Sequence, residues 1–63
     1  MSINEKLNRY LEENGIKQNF VVQRTDISAD TFSKIINGKR KISASEFLSI
    51  CDALNLDPSY FKS

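Results

Sequence analysis

Residues 17–37 read KQNFVVQRTDISADTFSKIIN, from Lys17 to Asn37, and this stretch decides the fold. An apolar pair, Val21-Val22, lies inside a first short helical segment of about residues 17–24. The segment Thr25-Asp26-Ile27-Ser28 is a tight turn rich in residues that bond their own backbone. Ser28 is placed to cap a second helix over about 28–37, and Ile27 before it can close on Phe32 as a hydrophobic staple. Phe32, Ile35 and Ile36 form that helix's core face, which leaves small and polar side chains outside. Asn37-Gly38 stops it, with Gly38 suited to a left-handed backbone. The first helix starts less well, because Lys17 occupies its cap position.

The flanks continue the helical pattern. Ser2-Ile3-Asn4-Glu5 has capping-box spacing, Ile3, Leu7, Tyr10 and Leu11 share one helical face, and Asn14-Gly15 is a stop. Ser43-Ala44-Ser45-Glu46 is a second capping box, with Ile42 and Phe47 as staple, opening a helix that carries Phe47, Leu48, Ile50, Cys51 and Leu54. Asp57-Pro58 starts a last short helix, where proline's missing donor is harmless. The chain is thus expected to be all-α, five helices around a core of Leu7, Tyr10, Val21, Ile27, Phe32, Ile35, Phe47, Ile50, Leu54 and Phe61. The connections are short, so residues 1–63 are expected to form one domain.

Composition narrows the function. Sixty-three residues leave no room for a second lobe, and with one cysteine and no histidine neither a disulfide framework nor a Cys/His zinc site can form. No apolar run can span a membrane and no secretion signal is evident, so a reduced, intracellular, cytoplasmic protein is expected. The formal net charge is only +1, but it is unevenly spread. Residues 17–41 hold Lys17, Arg24, Lys34, Lys39, Arg40 and Lys41 against Asp26 and Asp30, a local charge of +4, while the flanks carry −1 and −2. A local basic footprint is what phosphate binding requires, although ordinary surface scatter can also produce one.

Together these residues resemble the lambda-repressor-like (Cro/repressor, XRE) helix-turn-helix DNA-binding family. The resemblance runs from about Ile3 to Phe61 and rests on an ordered set: Gln18 opening the first motif helix, Val21-Val22 within it, Asp26-Ile27-Ser28 in the turn, Asn37-Gly38 at the end of the second, the basic loop Lys39-Arg40-Lys41, then Ala53-Leu54 and a short helix from Pro58 to Lys62. It implies a compact five-helix domain that places helix 28–37 in the major groove of duplex DNA.

The chain departs from the family pattern at four places. Asp26 replaces a turn glycine, which predicts a left-handed aspartate at a cost of ~1 kcal/mol. Val22 replaces a closely packed alanine. Leu11 and Ile36 stand where the family often has a linked arginine and glutamate, and an apolar contact can replace that pair. Phe20 occupies a commonly polar position, either as an apolar lid over the N-terminal helix that carries Leu7 and Leu11 or as part of a partner surface.

By the resemblance, Ala29, Asp30, Ser33 and Lys34 match positions that reach base edges. Lys34 can donate to guanine, Ala29 can touch a thymine methyl, Ser33 can donate or accept, and Asp30 can accept from cytosine. Asp30 equally suits the helix N-terminus with no role in recognition. Lys17, Gln18, Ser28, Asn37, Lys39, Arg40 and Lys41 are the expected phosphate contacts, which position the protein without reading sequence. The basic loop can also be a plain solvated loop. Cys51 reads as core. Tyr60 and Phe61 either close the bottom of the core or form the interface of a small, weak homodimer.

The reading that follows is a sequence-specific regulator bound to double-stranded operator DNA, a bacterial or phage repressor in a nucleoid setting, with no cofactor, metal or small-molecule ligand. A protein-interaction module reusing the fold, adaptor or antitoxin-like, is the alternative. An enzyme is not expected, because no nucleophile–base pair, metal set or carboxylate cluster is present.

Overall fold

A computed structural model describes residues 2–61, whose described residues are helical with no strand. Helix α1 spans Ile3–Glu13, α2 Gln18–Gln23, α3 Ala29–Ile36 and α4 Ala44–Ala53, and a 3₁₀ turn, Pro58–Phe61, closes the chain. The five expected helices are therefore four α-helices and one tighter turn. Lys62, expected at the end of the last helix, lies outside the described residues.

Local chemistry sets the helix starts. Both expected capping boxes form. The Ser2 and Ser43 hydroxyls accept from the Glu5 and Glu46 backbone N–H groups, while each glutamate accepts from its serine's backbone. Ser28 Oγ accepts from Thr31 N–H at 3.2 Å. Lys17 provides no side-chain cap for α2. Asp57 Oδ1 accepts from the Ser59 N–H at 2.9 Å, ordering the start of the 3₁₀ turn.

The three longer helices share one kind of ending, the Schellman motif. Gly15 and Gly38 take positive φ at 63° and 74°, and Asn55 does the same at 57° after α4. In each case the next residue's N–H reaches back to the carbonyl five residues earlier: Ile16 to Leu11, Lys39 to Lys34 and Leu56 to Cys51, all at 2.9 Å. Among described residues Asn55 is the non-glycine with positive φ, so the expected left-handed Asp26 is corrected. The turn instead uses Thr25, whose Oγ1 accepts from the Ile27 N–H at 3.3 Å, and Asp26 carries no such strain.

The buried core is Leu7, Leu11, Val21, Phe32, Ile35, Ile36, Ile50, Cys51 and Phe61. Each large apolar side chain buried there contributes about 1.5–3 kcal/mol by leaving water. Ile36 and Cys51 are buried as their positions implied, Leu11 joins them, and Tyr10, Ile27, Phe47 and Leu54 are only half-buried at the edge of the core. Leu11 and Ile36, at the positions of the family's polar pair, are 3% and 5% exposed in the same cluster. Ile3 and Leu48 remain exposed.

One tie across the fold has no local signal. Asn4 Nδ2 donates to the Ile35 carbonyl at 2.5 Å and to the Arg40 carbonyl at 3.1 Å. It joins the start of α1 to the end of α3 and to the loop beyond.

Candidate nucleic-acid interface

Helix α3 is held by its apolar side. Phe32 and Ile35 are fully buried and Ile36 nearly so, which turns the opposite side outward. Ala29, Asp30, Lys34 and Asn37 are exposed there, and Ser33 is half-buried among them. Lys34 Nζ stands 3.1 Å from Asp30 Oδ2. Asn37 Nδ2 donates to Ser33 Oγ at 3.3 Å. The four residues expected to reach base edges thus lie on one open helical face, two of them paired with each other.

The expected phosphate contacts surround that face. Lys17 and Gln18 are exposed at the start of α2, and Lys39, Arg40 and Lys41 are exposed after α3. The loop carrying the last three is anchored twice. The Schellman bond from Lys39 to Lys34 fixes its start, and Asn4 holds the Arg40 carbonyl. These cations are therefore presented by ordered backbone, which lowers the entropy lost on meeting a ligand.

Besides Asn37, two of the expected phosphate contacts are engaged within the chain. Arg40 Nη1 lies 2.6 Å from Glu46 Oε2. The Ser43 backbone N–H and then the Arg40 guanidinium hold the Glu46 carboxyl below its ordinary pKa, so it stays charged at neutral pH. Ser28 donates its hydroxyl proton to Thr31 Oγ1 at 3.0 Å while capping α3. The Asn4 clamp and the Glu46 partner were missed in the sequence, because both depend on contacts between separate elements.

The remaining candidates fall away from α3. Tyr60 is 58% exposed and meets Tyr10 edge-on at 5.3 Å. Phe61 is core, packed edge-on against Phe47 at 5.6 Å, and its carbonyl accepts from Lys6 Nζ. Of these two residues only Tyr60 presents a surface to a partner. Phe20 is 40% exposed, with the Arg24 guanidinium 3.9 Å above its ring. It lines an open groove with Ile16, Ala53 and Leu54. Burial raises the Cys51 thiol's pKa and keeps it protonated, as a core residue.

Among the described residues no helix is long and apolar enough to cross a membrane. No curated protein and no solved structure matched the chain. The sequence model of the Cro/C1-type HTH DNA-binding domain matches residues 6–59, from within α1 to the middle of the closing turn. With the helix pair, the open face of α3 and the anchored basic loop in place, the chain belongs to the Cro/C1-type helix-turn-helix DNA-binding domain family.

Proposed function

We propose that the protein is a sequence-specific, double-stranded DNA-binding regulator that inserts α3 into the major groove and acts as a repressor of bacterial or phage type. The supporting observation is the open polar face of α3 leading directly into an anchored basic loop. Ala29, Asp30, Ser33 and Lys34 meet base edges in this reading. Lys17, Gln18, Asn37, Lys39 and Lys41 meet phosphates, joined by Arg40 when it leaves Glu46. Ser28 contributes chiefly by capping the helix that enters the groove.

Repression needs only occupancy: a domain seated on an operator that overlaps a promoter excludes polymerase. A module this small has a small footprint, so two copies on a two-fold site about one helical turn apart gain affinity and specificity. Tyr60 is the residue offered for a contact between such copies, which would be weak off DNA.

Exposed Phe20 and its groove favour a second reading, a protein-interaction module. Selection of binding duplexes from a random library, at low and moderate salt, separates the two. A recovered palindromic motif supports the regulator. Recovery of nothing at either salt overturns it and directs the search for a partner to Phe20.

A further inference from the structure

Asp30 and Lys34 stand one turn apart on the open face of α3, their charged atoms 3.1 Å apart and their side chains 79% and 55% exposed. An exposed pair of this kind adds little to helix stability, so its place on this face calls for another role. We propose that the two residues read one G·C base pair as a single unit, guanine on the Lys34 side and cytosine on the Asp30 side. The proposal rests on the reading of α3 as the helix in the major groove.

The argument is one of matching spacing and polarity. In the major groove a G·C pair presents the acceptors N7 and O6, then the cytosine N4 donor. O6 and N4 share a Watson–Crick N–H···O bond, which puts them about 2.9 Å apart. The Lys34 ammonium and the Asp30 carboxylate present donor and acceptor at nearly the same separation, 3.1 Å. Donor meets acceptor and acceptor meets donor without the ion pair opening.

Valence allows it. The ammonium has three donors, one for Asp30 and two for O6 and N7. The carboxylate has two oxygens with about four lone-pair sites, enough for Lys34 and for the N4 proton. Desolvating both charges together also costs less than desolvating either alone, because each keeps its partner.

The same geometry ranks the other pairs. Reversal to C·G sets the N4 donor against the ammonium and the guanine acceptors against the carboxylate, so both contacts become repulsive. An adenine on the Lys34 side fails in the same way at its N6 donor. A thymine there offers O4 to Lys34, and its adenine offers N6 to Asp30, but a methyl group replaces the N7 acceptor. The expected order is G·C, then T·A, with C·G and A·T last.

The test uses the full chain and a random duplex library. The wild type is expected to select G·C at one position of each half-site, with T·A second. The double variant Asp30→Lys/Lys34→Asp keeps an ion pair but reverses its polarity, and that position is expected to become C·G while the rest of the motif persists. Should the double variant fold poorly, Asp30→Ala carries the test, with a loss of about 5- to 150-fold in the preference for G·C over C·G at that position. A wild-type motif in which no G·C position responds to either variant overturns the paired readout and leaves DNA binding intact. Failure of the wild type to bind any duplex overturns both.

Discussion

The backbone N–H of Lys39 donates to the carbonyl of Lys34 at 2.9 Å, so two lysines close the end of α3. The equivalent bonds after α1 and α4 join Ile16 to Leu11 and Leu56 to Cys51. An apolar contact usually accompanies this motif at those two positions. At α3 that contact is given up for two like charges, both exposed and both beside the loop that continues with Arg40 and Lys41. Lys34 is paired with Asp30, and Lys39 is exposed toward solvent.

The two lysines should separate in function. Lys34→Ala should relax base preference at one position of the site. Lys39→Ala should weaken all duplexes about equally and make the salt dependence shallower by about 0.9 in the log–log slope. Anisotropy titrations of both variants on matched and mutated duplexes check this. Equal loss of specificity from both would contradict the assignment.

Arg40 is paired with Glu46 at 2.6 Å, so in the proposed reading it meets phosphate only after leaving that partner. Glu46→Gln keeps a side chain able to complete the Ser43 capping box but removes the charge that pairs with Arg40. Affinity for every duplex should rise, and the salt dependence should steepen by about 0.9. Unchanged slope would show that Arg40 makes no phosphate contact even when freed.

The left-handed residue after α4 should matter for stability. Asn55→Ala places a β-carbon in a conformation that asparagine tolerates better, with an expected loss of about 1 kcal/mol in urea unfolding. Asn55→Gly should be neutral or stabilising. Destabilisation by glycine and not by alanine would contradict the backbone account.

Acid should unfold the chain through its caps. The Ser2 backbone N–H lowers the Glu5 pKa, and the Ser43 backbone N–H and Arg40 lower that of Glu46, both from an ordinary 4.5. Depressed folded-state values mean that this stabilisation is complete at neutral pH. It is lost as pH falls below the ordinary value and through the folded one. Melting temperature should hold steady down to about pH 5.5 and then drop, and the Glu5→Gln/Glu46→Gln variant should drop less.

Much of this was legible in the chain because it is encoded locally. Ser2 with Glu5, Ser43 with Glu46, and the glycines at 15 and 38 act within a single turn, so spacing alone announced them. Asn55 went unread because its stop lacks a glycine. Asp26 was misjudged because the turn draws on the Thr25 hydroxyl instead of a left-handed backbone. Leu11 and Ile36 showed their loss of polarity in sequence, but their full burial depended on how α1 crosses α3. Of the candidate site, the open face of α3 followed from the placement of Phe32, Ile35 and Ile36. The Asn4 clamp and the Arg40–Glu46 pair did not, since residues 31 to 36 apart, or on separate elements, meet only in the folded chain.

The most direct measurement is duplex affinity against salt concentration for the wild-type chain on its selected site. Three of the proposed phosphate-contacting cations, Lys17, Lys39 and Lys41, form no ion pair among the described residues and predict a log–log slope of about −2.7 per copy, approaching about −3.6 if Arg40 also engages. A slope near zero, or no binding at the lowest salt, would contradict the account of this protein as a DNA-binding regulator.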